Sequence, residues 1–122
     1  MIYIKIKDVL YPAHVSGKMT DAEWDGRESK SITLEMDYGT AVGLFVDGLS
    51  WSIVEQEEVP VYEANENGDP VQVGMDLKET EWDNSEFNLA GDLTDHRDGR
   101  ITAKMGKLTD LEEAYEIMLG GM

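Results

Sequence analysis

Residues 84–121, NSEFNLAGDLTDHRDGRITAKMGKLTDLEEAYEIMLGG, constrain the fold most, because two hydrophobic periods follow each other within them. Phe87 and Leu89 lie two apart before Gly91, Leu93 follows at the same spacing, and Ile101, Ala103 and Met105 alternate with polar residues. Period-two alternation predicts half-buried strands. TDHRDGR between them supplies the Asp and Gly residues that connecting turns need. The period then lengthens. Thr109 and Glu112 have the spacing of a capping box, in which each side chain satisfies a backbone donor at the start of a helix. Leu111, Ala114, Tyr115 and Met118 share one face of that helix, and Gly120 and Gly121 are expected to stop it. The stretch therefore reads as strand, turn, strand, capped helix.

The same order of signals occurs earlier. Ile2, Ile4 and Ile6 mark a first strand. Tyr11 and Pro12 lead into AHVSGKM, TDAEWDGRESKS turns the chain, and Ile32, Leu34 and Met36 form a further strand. Asp37 is placed to cap a short helix to about Val46, with Ala41, Leu44 and Phe45 inward and Gly48 as its stop. Gly39 and Gly43 leave that helix dependent on packing. VSGKMTD at 15–21 lies over LAGDLTD at 89–95, DGR recurs at 25–27 and 98–100, and AVGLFVDG at 41–48 lies over AYEIMLGG at 114–121. A duplicated ββα unit, spanning about 13–48 and 87–121 and related by a pseudo-twofold axis, is the preferred account over convergence of ordinary turn and cap signals. The expected fold is α+β, mainly antiparallel β with two short helices, in a single domain over residues 1–122.

Charge separates the two units. The net charge is −16. Residues 49–86 hold one basic side chain, Lys78, against eleven acidic ones, whereas each flank carries only −3. In this segment Trp51 and Ile53 alternate with serines, and Val59 and Val61 face Val71 and Val73 across a turn built on Asn67 and Gly68. Pro60 and Pro70 donate no ladder hydrogen bond, which suits an edge or protruding strand. The expectation is an acidic β arm over about 51–75, followed by an extended or irregular MDLKETEWD. Such a surface disfavours nucleic-acid phosphates and anionic membranes.

No catalytic motif stands out. His14 and His96 form no ligand pair, the serines fall in no nucleophile elbow, and no phosphate loop or dinucleotide fingerprint is present. Cysteine is absent, which removes disulfides and thiolate chemistry and fits a reducing compartment. Asn65, Asn67, Asp69, Asp95 and Asp98 offer loop oxygens for calcium, but they lack EF-hand spacing and serve equally as turn formers. No cofactor or catalytic residue is assigned. The candidate partner-binding residues are Trp24, Val59, Val61, Tyr62, Val71, Val73 and Trp82; Trp24 and Trp82 read either as exposed anchors or as caps on the edges of the core.

RESKSITLEM, LFVDGLSWSIVE, DNSEFNLAG and TDHRDGRITAKMGKLT together resemble a group of small, acidic, functionally uncharacterised proteins encoded among the tail and baseplate genes of phages and prophages of Gram-positive bacteria. The resemblance implies a non-enzymatic structural or assembly protein acting through protein–protein contacts. Its partners would be tail or baseplate proteins or further copies of itself. It would reside in the host cytoplasm during assembly, with retention in the virion left open by the resemblance. An alternative is an acidic mimic of DNA that inhibits a host nucleic-acid-binding protein. MIYIKIKD carries no apolar leader, and no membrane span is expected.

Overall fold

The computed structural model describes residues 1–120, so the expected stop at Gly121 lies outside the described residues. The chain is α+β: one seven-stranded antiparallel sheet and two helices. The strands are β1 (Ile2–Ile6), β2 (Val9–Asp21), β3 (Arg27–Glu35), β4 (Ser52–Ala64), β5 (Pro70–Asp83), β6 (Leu89–Asp95) and β7 (Arg100–Gly106). Helix α1 is Tyr38–Leu44 and α2 is Asp110–Gly120. Across the sheet the order is β5-β4-β1-β2-β3-β7-β6.

One face of the sheet carries the core. Registers Ile4↔Tyr11, Ala13↔Leu34, Val15↔Ile32, Ile32↔Ala103 and Leu34↔Ile101 place these side chains in common rows, as period-two alternation requires. Helix α1 closes this face over β6 and β7, with Ala41 and Phe45 buried. Its N-cap forms as expected: the Asp37 carboxylate accepts from the Thr40 N–H at 3.1 Å. The helix ends at Leu44, before Val46, and Gly48 instead takes a left-handed φ of 84° in the following turn.

The 75–83 segment takes the extended one of its two expected forms, as a regular continuation of β5. Two elements depart from the sequence expectation. Phe87 belongs to no strand; it plugs the core from the loop before β6, where its carbonyl accepts from the Trp51 indole N–H at 2.9 Å. Most notably, α2 turns its apolar face to solvent: Leu111 is 81% exposed and Met118 70%. Periodicity assigned the shared face but could not say whether anything lay against it.

The opposite face of β2, β3 and β7 holds a polar cluster. Asp21 has no solvent-exposed surface and accepts from Ser29 Oγ at 2.9 Å, Lys104 Nζ at 2.8 Å and the Glu23 N–H at 3.1 Å. The Lys104 hydrogen bond holds its carboxyl down at about 2, against an ordinary value of 3.8. Beside it, Trp24 is half-buried over two glycines. A Cβ at Gly106 would meet its ring at 2.6 Å and one at Gly91 at 2.8 Å, so both positions require glycine's missing side chain.

Two outcomes follow from this cluster. Because Asp21 is more acidic folded than unfolded, its stabilisation is full above about pH 4 and lost as pH falls towards 2. In thermal unfolding, Asp21→Asn should lower the midpoint at neutral pH and flatten the decline between pH 4 and 2. Gly106→Ala should cost about 1–3 kcal/mol by overpacking, and part of that cost should vanish in a Trp24→Ala background, the remainder coming from the Arg27 Cδ at 2.9 Å, which chemical denaturation of the four proteins of that cycle would measure.

Candidate interaction surface

The acidic segment is anchored by the loop that follows it. Trp51 is buried, its backbone N–H donates to Ser85 Oγ at 3.2 Å, and its carbonyl accepts from the Asn84 N–H at 2.9 Å. Lys30 lies 4.6 Å from the centre of the Phe87 ring and donates to Asn84 Oδ1. Lys5 Nζ pairs with Glu81 at 3.1 Å, an interaction that raises the lysine pKa. These contacts fix β4 and β5 where they leave the body.

Beyond that base the two strands run on together. β1 pairs with residues 52–55 of β4, whereas the β4–β5 register continues from Ser52↔Asp83 to Ala64↔Pro70. With 14 residues, β5 spans roughly 45 Å. The turn is built from Asn65, whose Oδ1 accepts from the Asn67 and Asp69 N–H groups at 2.9 and 3.0 Å, and from Gly68 at φ 80°.

Both rims of this ribbon carry devices against strand addition. Gln56 and Met1 exchange hydrogen bonds, N–H to carbonyl in both directions, so Gln56 points its backbone away from β5. By strict alternation Glu58 and Pro60 point the same way, and Pro60 has no N–H to offer there. On the other rim, the Leu77 N–H is taken by the Asp76 carboxylate at 2.9 Å. The far edge of the sheet is guarded likewise: the Ala90 N–H donates to Asp47 Oδ1 at 2.8 Å, and the β6–β7 register shifts between Ala90 and Leu93.

The faces, by contrast, are open. Val59 opposite Asp76 and Val61 opposite Gly74 share one face, with Val59 half-buried and Val61 exposed. Leu77 opposite Glu58, Met75 opposite Pro60 and Tyr62 opposite Gln72 share the other, where Leu77, Met75 and Tyr62 are all exposed. Val71 and Val73 are exposed near the tip, the latter at the register shift. Trp82, opposite Ile53, is about half exposed at the foot of β5. The structure thus brings Val59, Val61, Tyr62, Val71, Val73 and Trp82 onto one ribbon. Trp24 stands apart, held against Gly91 and Gly106 with the Arg27 guanidinium 5.0 Å from its ring centre. Met75 and Leu77 were not singled out from the sequence, although their period-two continuation of Val71 and Val73 was there to read.

The residues considered for calcium shape turns. Asn65 is described above, Asp95 accepts from the Arg97 N–H at 2.9 Å, and Asp98 accepts from the Arg100 side chain at 2.8 Å, which lowers its pKa. Among the described residues no three His, Asp or Glu side chains converge as a metal site. His96 shares a 2.7 Å hydrogen bond with Thr102, and His14 is exposed on β2. Among the described residues no helix is long and apolar enough to cross a membrane. Compared with family models, curated proteins and solved structures, the chain finds no match.

If the rims are guarded as described, Pro60→Val combined with Asp76→Ala restores free N–H groups to both. Unfolding free energy should change by less than about 1 kcal/mol. Sedimentation velocity should show concentration-dependent growth to species larger than any the unaltered protein forms.

Proposed function

We propose that this chain is a non-enzymatic structural or assembly protein of a phage or prophage tail or baseplate, and that it works through the faces of the β4–β5 ribbon. The observation that carries the reading is the ribbon itself. A two-stranded element leaves the body, exposes apolar side chains on both faces, and holds most of the acidic excess of the chain. Isolated ribbons of this kind gain little from their own packing, so a partner that buries Met75, Leu77 and Tyr62 supplies what the fold leaves undone. With Lys78 the one cation among residues 49–86, that partner is basic around an apolar contact. Rows of apolar residues between the carboxylates favour a protein partner over phosphate mimicry. The tail or baseplate setting comes from the resemblance of the sequence blocks quoted above.

The body, in the same reading, is a duplicated ββα unit. The order β2-β3-β7-β6 is what a twofold axis between β3 and β7 generates. Each hairpin turns through its own DGR, and Gly26 and Gly99 both take positive φ. A helix follows each hairpin.

Mass spectrometry of purified particles from a host carrying the gene should find this chain at a fixed copy number. Replacing residues 59–74 by Asn-Gly should abolish its incorporation while cooperative thermal unfolding persists. Incorporation undiminished by that deletion would remove the ribbon from the assembly role.

A further inference from the structure

The core face of the sheet is closed at one end and open at the other. Helix α1 packs over β6 and β7. Over β2 and its neighbours the same face forms a cleft of about 570 Å³, lined by Ala13, His14, Val15 and Gly17 of β2 with Lys30 of β3, Ile2 of β1 and Ile53 of β4. The axis that relates the two ββα units carries the α1 position onto this cleft. Sequence offset carries Ala41, Leu44 and Phe45 onto Ala114, Ile117 and Met118 of α2. The first three are packed into the core; the second three are exposed, Ile117 by 74%. On the duplicated-unit reading, an empty seat and an unseated helix are thus related by the same axis.

The helix of the same chain is held away from that seat. The Glu112 carboxylate accepts from both terminal nitrogens of Arg27, at 2.8 and 3.3 Å, and from the Thr109 N–H at 2.9 Å. Arg27 is only 7% exposed and also donates to the Lys107 carbonyl. Swinging α2 onto its own sheet would strip a buried guanidinium of its carboxylate, the costly way to break such a pair. An 11-residue helix is too short to be stable by itself, and its first turn fixes its direction outward.

We propose that two copies of this chain exchange α2, the Ala114, Ile117 and Met118 face of each helix seating in the β2–β3 cleft of the other. This rests on the duplicated-unit reading, not on the ribbon. The match is chemical as well as geometric: the cleft has an apolar floor of Ala13, Val15 and Ile53 with His14 and Lys30 as its polar lining, and the helix is apolar with Glu113 and Glu116 on its flanks. Long-range repulsion between two chains of charge −16 is screened beyond about 8 Å at physiological salt, which leaves the seated contact to decide the association. The exchange is reciprocal, so it closes as a twofold dimer.

Because the chain has no cysteine, the test is clean. Single variants Val15→Cys and Met118→Cys, mixed and oxidised, should give the mixed disulfide dimer about tenfold faster than either gives its own dimer, as proximity in a formed complex dictates. The unaltered protein should sediment as a dimer in 0.15 M salt, and Ile117→Glu, at an exposed position, should make it a monomer that still unfolds cooperatively but at a midpoint no longer dependent on concentration. A disulfide forming only within the double variant at monomer mass would overturn the proposal in favour of closure on the same chain. A dominant Met118→Cys self-dimer would overturn it in favour of helix against helix. A monomer at all concentrations with no cross-link would overturn it outright. None of these outcomes touches ribbon-dependent incorporation into particles, which is read by the deletion described above.

Discussion

The structure depends on β2 serving two partners along its length. Its first residues pair with β1, Pro12 opposite Tyr3, and from Ala13 onward it pairs with β3. Without that shared strand, β1, β4 and β5 would form one small sheet and β3, β7 and β6 another. Each would have too little apolar surface to stand alone. With it, Ile4 and Ile6 join Ile32, Leu34, Ile101 and Ala103 in a single core beneath α1. Each fully buried aliphatic side chain there contributes about 1.5–3 kcal/mol by leaving water.

The reverse face solves a different problem. A sheet covered on one side by a seven-residue helix leaves the other side of β3 and β7 to be closed by side chains. Trp24, lying in the notch left by Gly91 and Gly106, does this without a second layer of secondary structure. Asp21, Ser29 and Lys104 satisfy one another beneath it, so the burial of a charge pair leaves no unmatched carboxylate oxygen. Arg27 extends the cluster to Glu112 and so sets the direction in which α2 departs. Its Nε is buried without a partner, a small local deficit beside the carboxylate that its terminal nitrogens share.

Guarded edges and open faces give the molecule a definite manner of contact. A ribbon whose rims were free would add strands indiscriminately, including those of its own copies. Pro60 and Asp76 suppress this at little energetic cost, which moves recognition from backbone to side chain and therefore from generic to selective. In the proposed role the carboxylates around the apolar rows would set the sign of the partner, and α2 presents a second apolar surface with its own acidic flanks.

Local chemistry was legible wherever it decided local structure. Alternation at Ile2, Ile4 and Ile6 and at Ile101, Ala103 and Met105 named strands and their buried sides; Asp37 and the Thr109–Glu112 box named helix starts; Asn67 and Gly68 named the ribbon turn, whose organising acceptor, Asn65, only the structure shows. Of the ribbon, the valines are visible in the sequence and Met75 and Leu77 continue their period, but nothing in that period tells which face stays open. Phe87 looked like a strand residue because a plug spaced two from Leu89 is indistinguishable by pattern from a strand position. The sequence by itself determined which side chains share a face and where the chain must turn, since both follow from backbone geometry within a few residues. Only the tertiary structure decided what lies opposite each face, whether Trp24 over two glycines, α1 over β6 and β7, or solvent over α2. Those contacts join residues dozens of positions apart and leave no period in the chain.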